Sequence, residues 1–443
     1  MNQLRAGFGK CDISPSLGCY LQGNPQIRKV EKIADPLYVR CVAFENEGVA
    51  LVMYFDLCGI HQSLADEIRT FVAESVGCQA VDVFVAATHT HTGPNIGNRT
   101  LPIDEAYVGS LKHFAARAAR TAMNDLAPAQ MHYAQDVIPD LCFVRRFRMK
   151  DGSVCTNPGA GNPDILEPMN EADDTIRLLK ITREGAGDIV LVNYQCHADV
   201  CKKINDQFAV SADYPGAVCT VLENAMPGTD CLYCNGTAGD LVQGNQMVVS
   251  PWNTRCWEHA LHMGRSIAGK ILSMYYHTSP IEAGPVRTLE KRIAIPLKQP
   301  KEEDLVRFRK IVEDYQSGAF VLRKKAPGVM EDITTLYEAR NQIALAKSGE
   351  SEASVCVSAF RIGDFAAAGI PGEGFCEIGK RIRATGYFPA QFTLGLTNGS
   401  QGYYPMADAF EVNGYEARTS RFKPGVGELL ADTACQLLAE LNK

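Results

Sequence analysis

Between Val49 and Asn124 the chain passes twice from a short, mostly apolar run into an amphipathic stretch of helical period. Val49–Phe55 and Val81–Ala87 are short and rich in β-branched and aromatic residues, the mark of strands buried on both faces. From Ser63 to about Val76 the residues Ala65, Ile68, Phe71 and Val72 share one helical face, with Ser63 placed to cap the start. From about Asp104 to Asn124 the residues Ile103, Tyr107, Leu111 and Phe114 repeat that pattern. Strand, helix, strand, helix is the order of an α/β fold, in which flanking helices cover a mixed sheet core.

The same signals recur further on. Ile189–Gln195, a run near Cys231–Asn235, Val355–Ile362 and Phe365–Ile370 read as strands, and Val426–Leu441 reads as a helix burying Leu430, Leu437 and Leu441. Two segments depart from the pattern. Lys150–Asp173 is rich in Gly, Pro, Asn and Asp with little periodicity, and a loop of that length inside a compact domain is usually functional. Lys301–Glu350 is charged and helical in character, a helical surface insertion broken at Ala326-Pro-Gly328 and capping the core. No repeat, low-complexity tract or flexible linker divides the chain.

Charge and cysteine usage narrow the partners. The chain has 44 Lys+Arg against 51 Asp+Glu, a net charge of −7, with no basic run, which argues against nucleic acid and anionic membrane surfaces. Apolar runs such as Gly48–Phe55 fall short of the roughly 18 residues of a membrane span. The 16 cysteines are scattered singly, as at Cys41, Cys58, Cys219 and Cys356, and read as small core hydrophobes. Cys231-Leu-Tyr-Cys234 has metal or redox spacing, yet no second such pair accompanies it, and a strand end fits it better. Met1–Lys10 carries no apolar leader core, so a reduced, cytoplasmic protein acting on a small molecule is expected.

Chemistry concentrates at the strand ends. Val81–Ala87 delivers Thr88-His89-Thr90-His91-Thr92-Gly93-Pro94, and two histidines at i and i+2 on extended chain share one face. Both can ligate a metal, or one can ligate while the other faces a substrate; spacing leaves the two open. His197 follows a strand, and Glu373 follows the turn Pro371-Gly372, where it serves either as a ligand or as a cap for a helix beginning near Phe375. Histidines and a glutamate at separate strand ends form a mononuclear zinc set, in the place where open α/β sheets carry their sites. His113, His132, His259, His262 and His277 read as structural, and His61, close to Asp56 in sequence, is a weaker candidate.

Six segments in order along the chain resemble the neutral/alkaline ceramidase family: Ala6-Gly-Phe-Gly-Lys-Cys-Asp-Ile-Ser-Pro15, Ala34-Asp-Pro-Leu-Tyr-Val-Arg40, Ala87–Pro94, Gly239-Asp240, Pro371-Gly-Glu373 and Asn413-Gly-Tyr-Glu416. Arg145-Arg-Phe-Arg-Met-Lys-Asp-Gly152 and Thr156-Asn-Pro158 look closest to its short bacterial members. The resemblance implies one catalytic domain over 1–443, without the C-terminal β-sandwich of larger members. It implies one zinc ion held by His89, His197, Glu373 and Tyr415 and serving amide hydrolysis, with His91 beside the metal. Arg145 would occupy the place of the family's active-site arginine, although Val144 replaces the asparagine before it, and Arg145 and Tyr415 would steady an oxyanion.

One position departs from the family. Its Gly-Asp-x-Ser-Pro motif carries a catalytic serine, whereas the run here is Gly239-Asp240-Leu241-Val242-Gln243. Val242 can neither attack a carbonyl nor hydrogen-bond an amide, and Thr237 reads as a turn residue. The expected activity is therefore zinc-dependent hydrolysis of a C–N (amide) bond in a substrate other than ceramide. A zinc-dependent hydrolase or lyase of an ester or carbohydrate derivative, and a non-catalytic ligand-binding paralogue, are the alternatives. Arg145, Arg146 and the Lys150–Asp173 loop suggest a pocket for a small polar or anionic molecule.

Overall fold

The computed structural model describes residues 3–23, 27–97, 101–201, 208–323 and 329–443. A nine-stranded mixed sheet runs, from edge to edge, through Asp230–Asn235, Ile189–Tyr194, Thr175–Arg183, Ala127–Val137, Arg5–Asp12, Tyr38–Glu45, Val49–Phe55 and Val83–Ala87, with Ser279–Ile281 added on Ala127–Val137. The pairs at its two edges are parallel and the pairs between are antiparallel. Each parallel pair needs a crossover, supplied by the helices Gln62–Val76 and Asp213–Ala225. His89 thus follows one edge strand, and His197 follows the strand next to the opposite edge of the same sheet.

Those edges meet because the sheet curls. Strand Asp230–Asn235 returns to face Tyr38–Phe55, and Tyr54 Oη donates to Asn235 O at 3.3 Å. Inside the curl a second sheet, Val286–Pro296, Glu352–Ile362, Phe365–Gly369 and Ala390–Leu394, packs through a shared core that includes Phe44, Phe84, Leu191, Phe360, Phe365 and Phe392. Asn193 Nδ2 donates to Cys234 O at 2.9 Å and Thr393 O at 3.0 Å, stitching the sheets where no water reaches. Asn398 covers the Val83–Ala87 edge, with its N donating to Val85 O at 2.7 Å and its Oδ1 accepting from Val85 N at 2.9 Å.

Helices close both outer faces, giving layers in the order helices, sheet, sheet, helices. The helices Gln62–Val76 and Glu105–Asn124 pack on the strands from Arg5 to Ala87. The second of these buries alanines, Ala115, Ala118, Ala119 and Ala122, more deeply than Tyr107 or Phe114. Its backbone lies so close to the first strand that a Cβ on Gly7 or Gly9 would sit 2.1 or 2.2 Å from a helix carbonyl oxygen. Helices Cys376–Arg383 and Val426–Leu441 cover the second sheet, with Leu430, Leu437 and Leu441 buried as their spacing demands.

Several boundaries differ from the sequence reading. The first helix begins at Gln62 after His61, so Ser63 lies inside the first turn and caps nothing. Ala80–Asp82 forms a 3-10 turn, which delays the strand to Val83. Lys150–Asp173 is no structureless loop: Arg146–Met149, Val154–Thr156 and Ile165–Pro168 pair into a small sheet, its first turn permitted by Gly152 at φ 85°. Lys301–Glu350 holds the helices Glu302–Ser317 and Val329–Ser348, and Ala326-Pro-Gly328 lies outside the described residues. Cys231 and Cys234 face opposite sides of one strand and cannot share an ion; all 16 cysteines are unbridged. Among the described residues no helix is long and apolar enough to cross a membrane.

Buried Asp213 braces the His197 loop, and half-buried Asp35 braces the start of the helix Asp213–Ala225. Asp213 accepts from Val200 N and Cys201 N at 2.9 Å, and Asp35 accepts from Ala212 N at 2.8 Å. Burial outweighs those bonds and pushes Asp35 from 3.8 up to about 7. A carboxyl whose folded pKa lies above its unfolded one is most favourable while protonated, and its contribution is lost as pH rises from about 4 through about 7. Asp35→Asn should therefore leave Tm near the parent's at pH 4 and raise it by roughly 2 °C or more at pH 8, read by thermal melts across that range.

Candidate metal centre

The His89-Thr90-His91-Thr92 segment is pinned from both sides. Thr90 Oγ1 and Thr92 Oγ1 both donate to Ser211 O, at 2.6 and 3.0 Å, which turns the histidines the other way. His89 N donates to Leu57 O at 3.0 Å, and His91 N donates to Ala198 O at 3.1 Å, tying this loop to the one bearing His197. His89 adopts φ 72°, a left-handed conformation that a non-glycine residue holds only where its surroundings impose it.

Three imidazoles then converge. His89 Nε2 lies 3.0 Å from His197 Nε2, 3.2 Å from His91 Nε2 and 3.3 Å from Glu373 Oε2, and His197 Nε2 is 3.8 Å from the same carboxylate oxygen. The opposite nitrogen of each ring faces a backbone carbonyl: Cys58 O for His89, Gly23 O at 2.6 Å for His91 and Ala238 O at 3.2 Å for His197. A carbonyl only accepts, so each Nδ1 carries the proton and each Nε2 presents a lone pair. Glu373 Oε2 is buried without a hydrogen-bond partner. A cation at that point would replace the single proton that a charged His89 can offer Glu373, and would engage His89, His197 and the carboxylate together. One ligand atom each from His89, His197 and Glu373 lies within 4.8 Å of the others, and so do atoms of Cys58, His89 and His91.

The electrostatics follow from this crowding. Burial opposes a charge on His89, but the neighbouring Glu373 overrides it and raises the pKa well above the ordinary value. Burial, reinforced by His89 and Arg145, pushes His197 well below its own. Glu373 is held below the usual carboxylate range because His89 and Arg145 outweigh its burial. The cluster favours neutral His197 and anionic Glu373, the forms that bind metal.

Glu373 is delivered by a close backbone approach. Gly239 N donates to Gly374 O at 2.8 Å, and a Cβ on Gly239 would lie 2.4 Å from Glu373 O. Next to it, Asp240 Oδ1 accepts from Cys376 N at 2.8 Å and so caps the helix that begins there. Glu373 is thus not the cap. The Gly-Asp pair fixes the loop while the Glu373 side chain turns to the histidines.

Tyr415 lies at the Glu373 side of the centre, its ring 5.5 Å from that of Tyr403 and 5.7 Å from the Arg145 guanidinium. Burial raises the Tyr415 phenol, and the Glu373 charge pushes the same way. Arg145 is buried and committed: Nε donates to Glu416 Oε1 at 2.7 Å, Nη2 donates to Gly239 O at 2.6 Å, and the side chain also bonds Tyr403. Two of its nitrogens are thus occupied, and its charge acts on His197 and Glu373. Val242 pairs with Phe143 on a two-residue ladder, and its neighbour Leu241 enters the core. The Thr237 hydroxyl faces Gly379.

The sequence reading missed three groups. Tyr403 pairs with Glu373 across a parallel bridge, Glu416 is the buried counter-ion of Arg145, and Cys58 is a neighbour of His89 as well as a core residue. Glu416 stands beside Tyr415 in the Asn-Gly-Tyr-Glu segment, a signal that was available. His61 is exposed, and Asp56 pairs with Arg40 at 3.1 Å, which removes the reason to link the two. His113 packs edge-on against Phe71, and His262 stacks on Trp252.

No family model and no curated protein matches this chain. Solved structures do share its fold. The neutral ceramidase from Pseudomonas aeruginosa superposes with a TM-score of 0.74 at 16% identity, covering 100% of this chain and 75% of that one. A ceramidase complexed with C2 gives 0.74 at 15% identity with the same coverage. The chain thus has a ceramidase-like α/β fold throughout.

The Arg145–Glu416 pair is the most demanding element of the site. Glu416→Gln strands a buried guanidinium and is expected to cost about 3–5 kcal/mol, measured by denaturant unfolding.

Proposed function

We propose that this protein is a zinc-dependent hydrolase of an amide bond in a small-molecule substrate other than ceramide. The observation that carries the reading is the buried convergence of His89, His197 and Glu373, whose ligand atoms all lie within 4.8 Å of one another, with Glu373 Oε2 lacking a hydrogen-bond partner. His89, His197 and Glu373 would hold one ion, with Tyr415 as the fourth ligand. Nitrogen and carboxylate donors in a tight set are the chemistry of zinc sites. The ion supplies Lewis acidity, polarising a carbonyl and making water nucleophilic near neutral pH.

The remaining residues bind and orient. His91 keeps its Nδ1 on Gly23 O and turns its Nε2 towards His89, a position from which it would take a proton from the attacking water and return it to the leaving nitrogen. Arg145, locked by Glu416, holds Tyr403 beside Glu373, where Tyr403 and Tyr415 can donate to a developing oxyanion. Val242 has no hydroxyl, so water takes the part a serine plays in the family, and a covalent acyl-serine route is closed at that position. The fold, together with the motifs, supports amide rather than ester cleavage.

Metal analysis of the purified protein should give one zinc per chain, and His89→Ala and Glu373→Ala should each lose both the zinc and all turnover. Product masses that sum to substrate plus one water establish hydrolysis. Masses that sum to substrate alone establish elimination. A zinc-free protein whose activity survives both substitutions overturns the reading.

A further inference from the structure

Arg28 is only 2% exposed, yet no carboxylate pairs with it among the described residues. Its Nη2 donates to Gln22 O at 3.0 Å and to His91 O at 2.7 Å, while Nε and Nη1 are buried with no acceptor. As a staple between two backbone carbonyls it would need one nitrogen, which leaves the rest of the guanidinium unexplained. The acid that acts on it most is Asp199, and Asp199 Oδ2 is already engaged by Arg255 Nη1 at 2.7 Å. Burial is the largest influence on Arg28 and works against its charge. A buried, unneutralised guanidinium is costly to keep, and such groups mark places where a ligand supplies the missing partner.

Its position says which ligand. Arg28 holds the backbone of His91, whose ring enters the metal cluster. Its other charged and polar neighbours are Cys58, which seats His89, and Tyr337 on the helix Val329–Ser348. Tyr337 acts electrostatically on both Arg28 and Tyr415, which sets the helix Val329–Ser348 near both. The other cations near the site have carboxylate partners: buried Arg145 binds Glu416, and half-buried Arg255 binds Asp199.

We propose that Arg28 forms an anion-binding subsite beside the metal centre, which selects amide substrates carrying a carboxylate or phosphate near the scissile bond. This rests on the amide-hydrolase reading and names its substrate class. The planar guanidinium fork matches both oxyanions, and a site built to hydrogen-bond a charged group rejects the neutral analogue.

The zinc-loaded protein is assayed on N-octanoylglycine, N-octanoylglycinamide, N-octanoylethanolamine phosphate and N-octanoylethanolamine. An anionic member should exceed its neutral counterpart by about a hundredfold in kcat/KM, mostly through KM. Arg28→Gln should cut that ratio at least tenfold at unchanged zinc content, and Arg28→Lys should restore part of it. Whichever anion is preferred separates carboxylate from phosphate. Anionic and neutral amides cleaved alike, or a ratio unmoved by Arg28→Gln, overturns the proposal. If wild type cleaves none of the four, the hydrolase reading fails on these amides and titration calorimetry decides the subsite. N-octanoylglycine or the phosphate must then bind wild type at least tenfold more tightly than Arg28→Gln, and equal binding overturns the subsite.

Discussion

His89 Nε2 lies 3.0 to 3.3 Å from His197 Nε2, His91 Nε2 and Glu373 Oε2, and that crowding of ligand-type atoms is contained by everything around it. Carbonyls of Cys58, Gly23 and Ala238 fix the tautomers, so the lone pairs have nowhere else to turn. The strained backbone of His89, the close approach of Gly239 to Glu373 and the threonine bonds to Ser211 are local costs accepted to hold the geometry.

The fold makes this convergence possible by curling. His89 leaves an edge strand of the nine-stranded sheet and His197 leaves the strand next to the opposite edge, a separation that a flat sheet could not close. The second sheet fills the curl, and the bond from Tyr54 to Asn235 O marks where one edge meets the other face. Glu373 and Tyr403 arrive from the second sheet's side on a bridge of two residues each. The site therefore belongs to the seam between the layers, and its integrity is inseparable from the packing of the core.

Charge follows the same economy around the centre. Arg145 and Glu416 neutralise each other behind Tyr403, and Arg255 neutralises Asp199 near His91. Asp240, two residues from Val242, spends its carboxylate on a helix cap and on Asn170 Nδ2 at 2.8 Å. Arg28 stands outside this scheme, which gives its two unpaired nitrogens meaning.

Local periodicity determined the strand Val49–Phe55, the helix ending at Asn124 and the helix Val426–Leu441, because apolar spacing reports directly which face an element buries. It also marked His89, His91, His197 and Glu373 as strand-end chemistry. It could not place Ser63 inside its helix or see strands in Lys150–Asp173, since those boundaries depend on partners far along the chain. Nor could it find Tyr403, Glu416 behind Arg145, or the solitary Arg28, because a counter-ion or its absence is a property of three-dimensional neighbours. The sequence by itself determined the kinds of element and the residue types able to bind a metal. Only the tertiary structure decided that two histidines 108 residues apart, His89 and His197, would share one point, because the curl of the sheet is set by packing across the whole core.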